Sequence, residues 1–208
     1  YLGNRSSGRQ GFALAELASQ RGAEVVLVAG NIVDLPVPAS ARVVRVTSTR
    51  DMLGAMLAES ADADVVIMSA AVADYRPATV AESKMKKGAD DANLSRLELV
   101  ENPDILKTLV DKRAAGELPG HQVLVGFAAE TGDENHTAVE LAQAKLKRKG
   151  CDVLMANEVG HGKVFGQLDN QGWLLTPGAE PQEVAYGTKQ VVAAQILAAV
   201  DRVMDAAI

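Results

Sequence analysis

Residues 3–30 read GNRSSGRQGFALAELASQRGAEVVLVAG, and the order of features in this stretch decides the fold. A loop rich in glycine and serine comes first. A helical pattern over 9–21 follows, and Gly22 stands where a helix C-terminal stop is expected. A compact apolar run, 25–29, then ends at Gly30. Similar runs recur at 43–46, 65–69, 123–127 and 153–156. They are continuously apolar rather than alternating, as strands buried on both faces must be. Helical patterns at 51–60, 103–112 and 137–149 separate them, so the order β-α-β-α-β predicts an α/β fold with a doubly wound, mostly parallel, Rossmann-like sheet. Tyr1-Leu2 reads as the stub of a strand entering the glycine loop. A doubly wound fold wants a full first strand there, so residues 1–208 are expected to be one domain excised from a longer chain.

Local chemistry sharpens the boundaries. Thr47, Ser48 and Thr49 offer N-caps. Asn102-Pro103 places a capping residue before a proline at the first helical position. Gly150 offers a C-terminal stop, and a last helix over 188–206 carries one broad apolar stripe. Two regions depart from the scheme. Residues 73–100 form a long, lysine-rich inserted loop with a short strand expected at 97–100, and long loops in compact domains tend to be functional. Residues 165–176 read as a β-hairpin, with Asp169-Asn170-Gln171-Gly172 as its turn.

Composition excludes several classes. The single cysteine, Cys151, rules out an internal disulfide framework and a Cys-rich zinc site. A reducing, cytoplasmic setting follows as the simplest reading. No apolar run approaches the ~20 residues of a bilayer-spanning helix, so no membrane role is expected. The formal net charge of −6 disfavours non-specific nucleic-acid binding. Basic clusters at Lys84, Lys86 and Lys87 and at Lys145, Lys147, Arg148 and Lys149 instead fit a small polyanion. His121, His136 and His161 lie in polar loops without metal-ligand spacing, and Trp173 reads as packing.

The glycine loop, Gly3 to Gly11, admits three readings. Gly3 and Gly8 have P-loop spacing, but Arg9 and Gln10 replace the lysine and the magnesium-binding hydroxyl. Gly8 and Gly11 fit the second half of a dinucleotide fingerprint, but Ser6 replaces its first glycine and the next strand ends in Gly30-Asn31 rather than an acid. The third reading is a structural turn. Backbone amides of such a loop, with the Ser6 and Ser7 hydroxyls, suit a phosphate or carboxylate. A short-chain oxidoreductase would need Tyr-x-x-x-Lys, and Tyr1, Tyr75 and Tyr186 each lack that lysine. Small residues Ser69, Ala70 and Ala71, then Asp74 and Arg76, follow the strand over 65–69. Ligands of open α/β sheets bind beyond the carboxyl ends of strands, which also places Asn102 to Ile105 and Gly126 to Glu130 at the ligand edge. Lys145 and Lys149 share one helix face.

In order along nearly the whole chain, Asn4-Arg5-Ser6-Ser7-Gly8, residues 70–76 with Lys84-Met85-Lys86-Lys87, Asn102 to Ile105, Gly126 to Glu130 and the Lys145/Lys149 helix resemble bacterial phosphopantothenoylcysteine synthetase. The resemblance implies a cytoplasmic, CTP-dependent ligase of coenzyme A biosynthesis. The carboxylate of 4′-phosphopantothenate attacks CTP, pyrophosphate leaves, and cysteine displaces CMP from the acyl-cytidylate. It assigns Asn4 to the acyl intermediate and Lys84 to its formation. Met68, Ser69, Ala70, Asp74, Lys84, Pro103, Asp104, Ile105, Leu106, Phe127, Lys145 and Lys149 are assigned to the nucleotide. Asn4, Ser6, Ser7, Gly8 and Ala71 are assigned to the acid substrate. Magnesium is expected with the triphosphate, with Asp74 as the candidate to help hold it. A homodimer is implied, with the 73–100 segment and the hairpin as dimerisation elements. Also implied is a fused flavin-dependent decarboxylase half, which alone would carry FMN.

Overall fold

A computed structural model describes residues 4, 6–30, 35–81, 83–84, 86, 96–158 and 169–206. Tyr1-Leu2, Gly3, Arg5, Asn31, Met85, Lys87, His161 and the start of the expected hairpin lie outside them. Among the described residues, five α-helices and nine strands follow in the order α1 (Arg9–Gln20), β1 (Val25–Ala29), β2 (Ala41–Arg45), α2 (Thr49–Glu59), β3 (Val65–Ile67), β4 (Tyr75–Pro77), β5 (Leu99–Glu101), α3 (Ile105–Ala114), β6 (Val123–Glu130), α4 (Ala138–Lys149), β7 (Val153–Glu158), β8 (Asp169–Leu175), β9 (Gln182–Thr188) and α5 (Lys189–Ala206).

The helix boundaries have chemical causes. Ser48 caps α2 in a reciprocal box with Asp51, whose carboxylate accepts from the Ser48 N–H at 3.0 Å. That pairing holds the Asp51 carboxyl below its usual range. Thr137 and Glu140 make the same box on α4, and Gly150 ends that helix in the left-handed region at φ 73°. The α3 cap differs from expectation. Asp104, not Asn102, accepts from the Lys107 N–H, and the helix begins at Ile105. Asn102 is engaged elsewhere, as described below.

The main sheet has the order β3-β6-β7-β8-β9, with β3, β6 and β7 parallel and β8 and β9 antiparallel. Its parallel part is buried on both faces. Leu124, Leu154, Leu106 and Leu109 join one core, while Val125, Met155, Val192 and Ile196 join the other. The continuous apolar runs therefore do what the pattern implies. A separate parallel pair, β1 and β2, carries α1 and α2 against it but is hydrogen-bonded to no strand of the main sheet among the described residues. A short antiparallel ribbon, β4 with β5, occupies the ends of the long insertion.

The expected hairpin turn is corrected. Asp169 to Gly172 lie inside β8, which pairs with β7 on one side and β9 on the other, and the reversal comes later, around Gly178 at φ 76°. Gly172 sits at a register shift in the β8–β9 ladder. A β-carbon there would collide with the carbonyl oxygen of Ala156 on β7. The glycine thus marks a bulge with close backbone approach rather than a turn. Trp173 packs against the core.

One polar junction pins the parallel sheet at its amino-terminal edge. The Arg113 guanidinium forks onto both oxygens of Asp152, at 2.5 and 3.1 Å. Asp152 also accepts from the Leu124 N–H at 2.7 Å, and Arg113 reaches the Gln122 carbonyl. This ties α3 to the entries of β6 and β7 with both side chains largely shielded from water. Asp152→Ala should lower the unfolding free energy by about 2–3 kcal/mol, measured by urea titration. A change under about 0.5 kcal/mol would show that the junction is not structural.

Candidate active site

The glycine loop is held to the segment that follows β3. Asn4 donates through Nδ2 to the Val72 carbonyl at 3.0 Å. Gly8, at φ 71°, precedes α1 without a side-chain cap, so the first N–H groups of that helix are left for another acceptor. Gly11 lies against Ser69, and a β-carbon at Gly11 would stand 2.8 Å from the Ser69 hydroxyl oxygen. Close approach, not turn geometry, accounts for this glycine. Asn4, Ser6, Gly8, Met68, Ser69, Ala70 and Ala71 line one crevice. Met68 is buried and its N–H extends the β3–β6 ladder to the Val125 carbonyl. Ser7 and Asp74 are exposed beside it.

Asn102 fastens the far wall. Its N–H donates to the Asp74 carbonyl at 2.7 Å and its Nδ2 to the Ala73 carbonyl at 2.8 Å. Its Oδ1 accepts from Arg76 at 3.0 Å, and Arg76 also reaches the Glu101 carbonyl. Sequence reading took Asn102 for a helix cap. Its true partners lie about 28 residues earlier, across the insertion, where no local pattern could signal them.

Beside this wall, the ends of α3, β6 and α4 present two lysine–carboxylate pairs. Lys145 lies 2.6 Å from Glu130, both largely buried. Lys149 pairs with Asp104. Burial works against ionisation of Asp104, but the Lys149 hydrogen bond, the Lys107 N–H and the charges of Lys149 and Arg148 outweigh it and hold the carboxyl below its usual range. Ile105 and Leu106 are buried anchors of this edge. Gly126 on β6 lets Leu106 approach, since a β-carbon there would lie 2.6 Å from it. Pro103 and Phe127 are half-buried at the same edge. Glu130 was legible only as part of the β6 motif, and its pairing with Lys145 was not.

Lys84 is exposed and lies outside the crevice lining. Among the described residues, no group of three His, Cys, Asp or Glu side chains could hold a metal, so Asp74 has no protein co-ligands of that kind. Cys151 is buried, and burial together with the Asp152 charge pushes its thiol up to about 11. A thiol so far from ionised is not a nucleophile. His121 stands beside Asp64 and His136 beside Asp133, all four exposed. No described helix is long and apolar enough to cross a membrane.

The arrangement sets a glycine loop against a strand-end wall, with two lysines at the neighbouring edge. Residues 1–204 match the family described as the DNA/pantothenate metabolism flavoprotein C-terminal domain. The Coenzyme A biosynthesis bifunctional protein CoaBC of Mycobacterium bovis is 46% identical over 200 residues, covering 96% of this chain and 47% of that protein. Its counterpart in Vibrio vulnificus strain YJ016 is 39% identical over 206 residues, covering 98% and 48%. The chain thus spans about half the length of the curated relatives it matches. A crystal structure of the C-terminal domain of CoaBC superposes with a TM-score of 0.74 at 36% identity, covering 96% of this chain and 84% of that one. A Cab2 variant solved in complex with phosphopantothenate-cysteine shares the fold, with a TM-score of 0.71 at 14% identity, covering 98% and 81%. On the full-length family match and these identities, the chain belongs to the DNA/pantothenate metabolism flavoprotein C-terminal domain family.

Proposed function

We propose that this chain is a phosphopantothenate–cysteine ligase of coenzyme A biosynthesis, using CTP and working in the cytoplasm. The observation that carries the reading is the hydrogen bond from Asn4 to the Val72 carbonyl. It joins the glycine loop to the strand-end wall, and so makes one site from two motifs of the resemblance. The relatives named for coenzyme A biosynthesis support it.

The chemistry suits such a site. A carboxylate is a poor electrophile, so its oxygen attacks the α-phosphorus of CTP and the bond to the β-phosphate oxygen breaks. Pyrophosphate leaves and a mixed anhydride remains. The cysteine amine then attacks the acyl carbon, the bond to CMP breaks, and nitrogen loses a proton. Positioning and charge stabilisation do the catalytic work. Asn4 faces the acyl group, with Ser6, Ser7, Gly8 and Ala71 holding the acid. Met68, Ser69 and Ala70 admit the nucleoside closely, and Pro103, Asp104, Ile105, Leu106 and Phe127 form its other side. Lys84 is assigned to the leaving pyrophosphate by the resemblance and would have to reach it from outside the crevice lining. Lys145 and Lys149 exchange their carboxylate partners for phosphate oxygens, which explains why both stand paired at the site. Magnesium, where bound, would neutralise triphosphate charge, and Asp74 would be the carboxylate that helps to hold it beside phosphate and water.

A homodimer belongs to the same proposal. Tyr75 and Leu99, with the neighbouring Leu97, leave large apolar side chains exposed on the β4–β5 ribbon, a surface suited to a second copy. A fused flavin-dependent decarboxylase half, which alone would carry FMN, belongs to the same proposal.

Three substitutions test the site. Lys84→Gln should suppress pyrophosphate release at least 100-fold, whereas Asn4→Asp should let the acyl-cytidylate accumulate, read by mass spectrometry. If both variants turn over like the parent, the assignment of these residues is wrong. Asn102→Ala should reduce kcat/KM about 10- to 100-fold while leaving the fold intact by circular dichroism. Unchanged kinetics would show that the wall does not need this fastening.

A further inference from the structure

Arg76 is a cation without a counter-charge. The protein is acidic, with 27 Asp and Glu against 21 Lys and Arg. Lys107, Lys112, Arg113, Lys145 and Lys149 are half-buried, and each holds a carboxylate. Arg76 is half-buried as well, yet no carboxylate pairs with it among the described residues. Its partners there are the Glu101 carbonyl at 2.6 Å and Asn102 Oδ1 at 3.0 Å. Both are neutral acceptors. A guanidinium drawn partly out of water keeps a desolvation cost until an anion meets it.

Two further facts aim this charge. Both hydrogen bonds leave from Nη1, so the Nε–Nη2 edge of the guanidinium has no partner among the described residues. That edge presents two parallel N–H donors in one plane, a match for the two oxygens of a carboxylate. Arg76 also lines the crevice, together with Asn4, Ala73 and Asn102. Its place on that wall is fixed. Asn4 holds the Val72 carbonyl, Asn102 holds the next one, Ala73, and the Asn102 oxygen holds Arg76. The unengaged edge is therefore fastened to the same short segment as the asparagine assigned to the acyl group.

The ligase reading proposed above, on which this inference rests, brings several anions to the crevice. Lys84, Lys145, Lys149 and the glycine loop are assigned to the nucleotide and the acid. Cysteine brings an α-carboxylate, and no residue is assigned to it. We infer that Arg76 is a specificity residue for the amino-acid substrate, its Nε–Nη2 edge taking the α-carboxylate of cysteine. The amine and the carboxylate share the α-carbon, so holding one places the other, and the nitrogen is turned toward the acyl carbon. Arg76 forms no covalent bond and moves no proton; it orients the nucleophile. An amine without the carboxylate leaves the guanidinium unpaired, and the site rejects it for that reason.

The test compares cysteine with cysteamine, which keeps the amine and the thiol and lacks the carboxylate. Release of CMP is followed with CTP, magnesium and 4′-phosphopantothenate present. The parent chain should prefer cysteine in kcat/KM. Arg76→Gln keeps an amide donor for the Glu101 carbonyl and loses the charge. It should reduce the preference about 10- to 100-fold through the KM for cysteine, with the other two KM values and the cysteamine kcat/KM changed less than about threefold. Arg76→Lys should keep part of the preference. A parent indifferent to the carboxylate, an unchanged preference in Arg76→Gln, equal losses for cysteine and cysteamine, or a raised KM for CTP alone would each overturn the inference while the ligase reading stands. A folded parent that binds CTP and releases neither pyrophosphate nor CMP would overturn that reading, and the inference with it.

Discussion

Asn102 commits three polar groups to one junction. Its N–H and its amide NH₂ donate to consecutive carbonyls, Asp74 and Ala73, and its Oδ1 accepts from Arg76. The segment after β3 leaves the sheet with small, partly exposed residues and no regular partner of its own, so its carbonyls need donors supplied from elsewhere. Asn102 supplies them, and the same residue stands two positions before Asp104, which caps α3 and pairs with Lys149. One side chain therefore couples the strand-end wall, the β4–β5 ribbon and the lysine-bearing edge. Asn4 closes the other side on Val72. The strand-end edge is thus held by side-chain amides acting on backbone carbonyls, an arrangement suited to the positioning role proposed for it.

Electrostatics at this edge follow the same logic. An acidic protein keeps two lysines at this edge by giving each a carboxylate, and the Asp104 carboxyl is held below its usual range because the hydrogen bonds from Lys149 and the Lys107 N–H, with the charges of Lys149 and Arg148, outweigh burial. The lysines are oriented without being trapped. Lys145 and Lys149 retain about a quarter of their side-chain exposure, which the exchange of partners proposed above requires.

Much of this was readable before the structure. Strand positions follow from apolar runs, and the caps at Ser48 and Gly150 follow from local hydrogen-bond chemistry, because cause and effect lie within four residues. What failed to read was non-local. Asn102 resembles a helix cap in sequence because its partners are far upstream. Asp169 to Gly172 resembles a turn, yet Gly172 is there because the Ala156 backbone crosses it. β9 escaped notice because its mixed composition matches neither a buried run nor a clean alternation, and only pairing with β8 makes it a strand. Among site residues, those in the glycine loop and after β3 converge on one crevice, whereas Lys84 stands outside its lining, on a segment whose sequence carries charge but no regular pattern.

Under the proposed function, the chain activates a carboxylate with a nucleotide and passes it to an amine. The direct measurement incubates the folded protein with CTP, magnesium and 4′-phosphopantothenate, then adds cysteine, following pyrophosphate, CMP and amide by chromatography. Pyrophosphate before cysteine, with CMP and amide in equal amounts only after it, is the predicted result. A folded protein that binds CTP yet releases neither pyrophosphate nor CMP under these conditions would contradict the account.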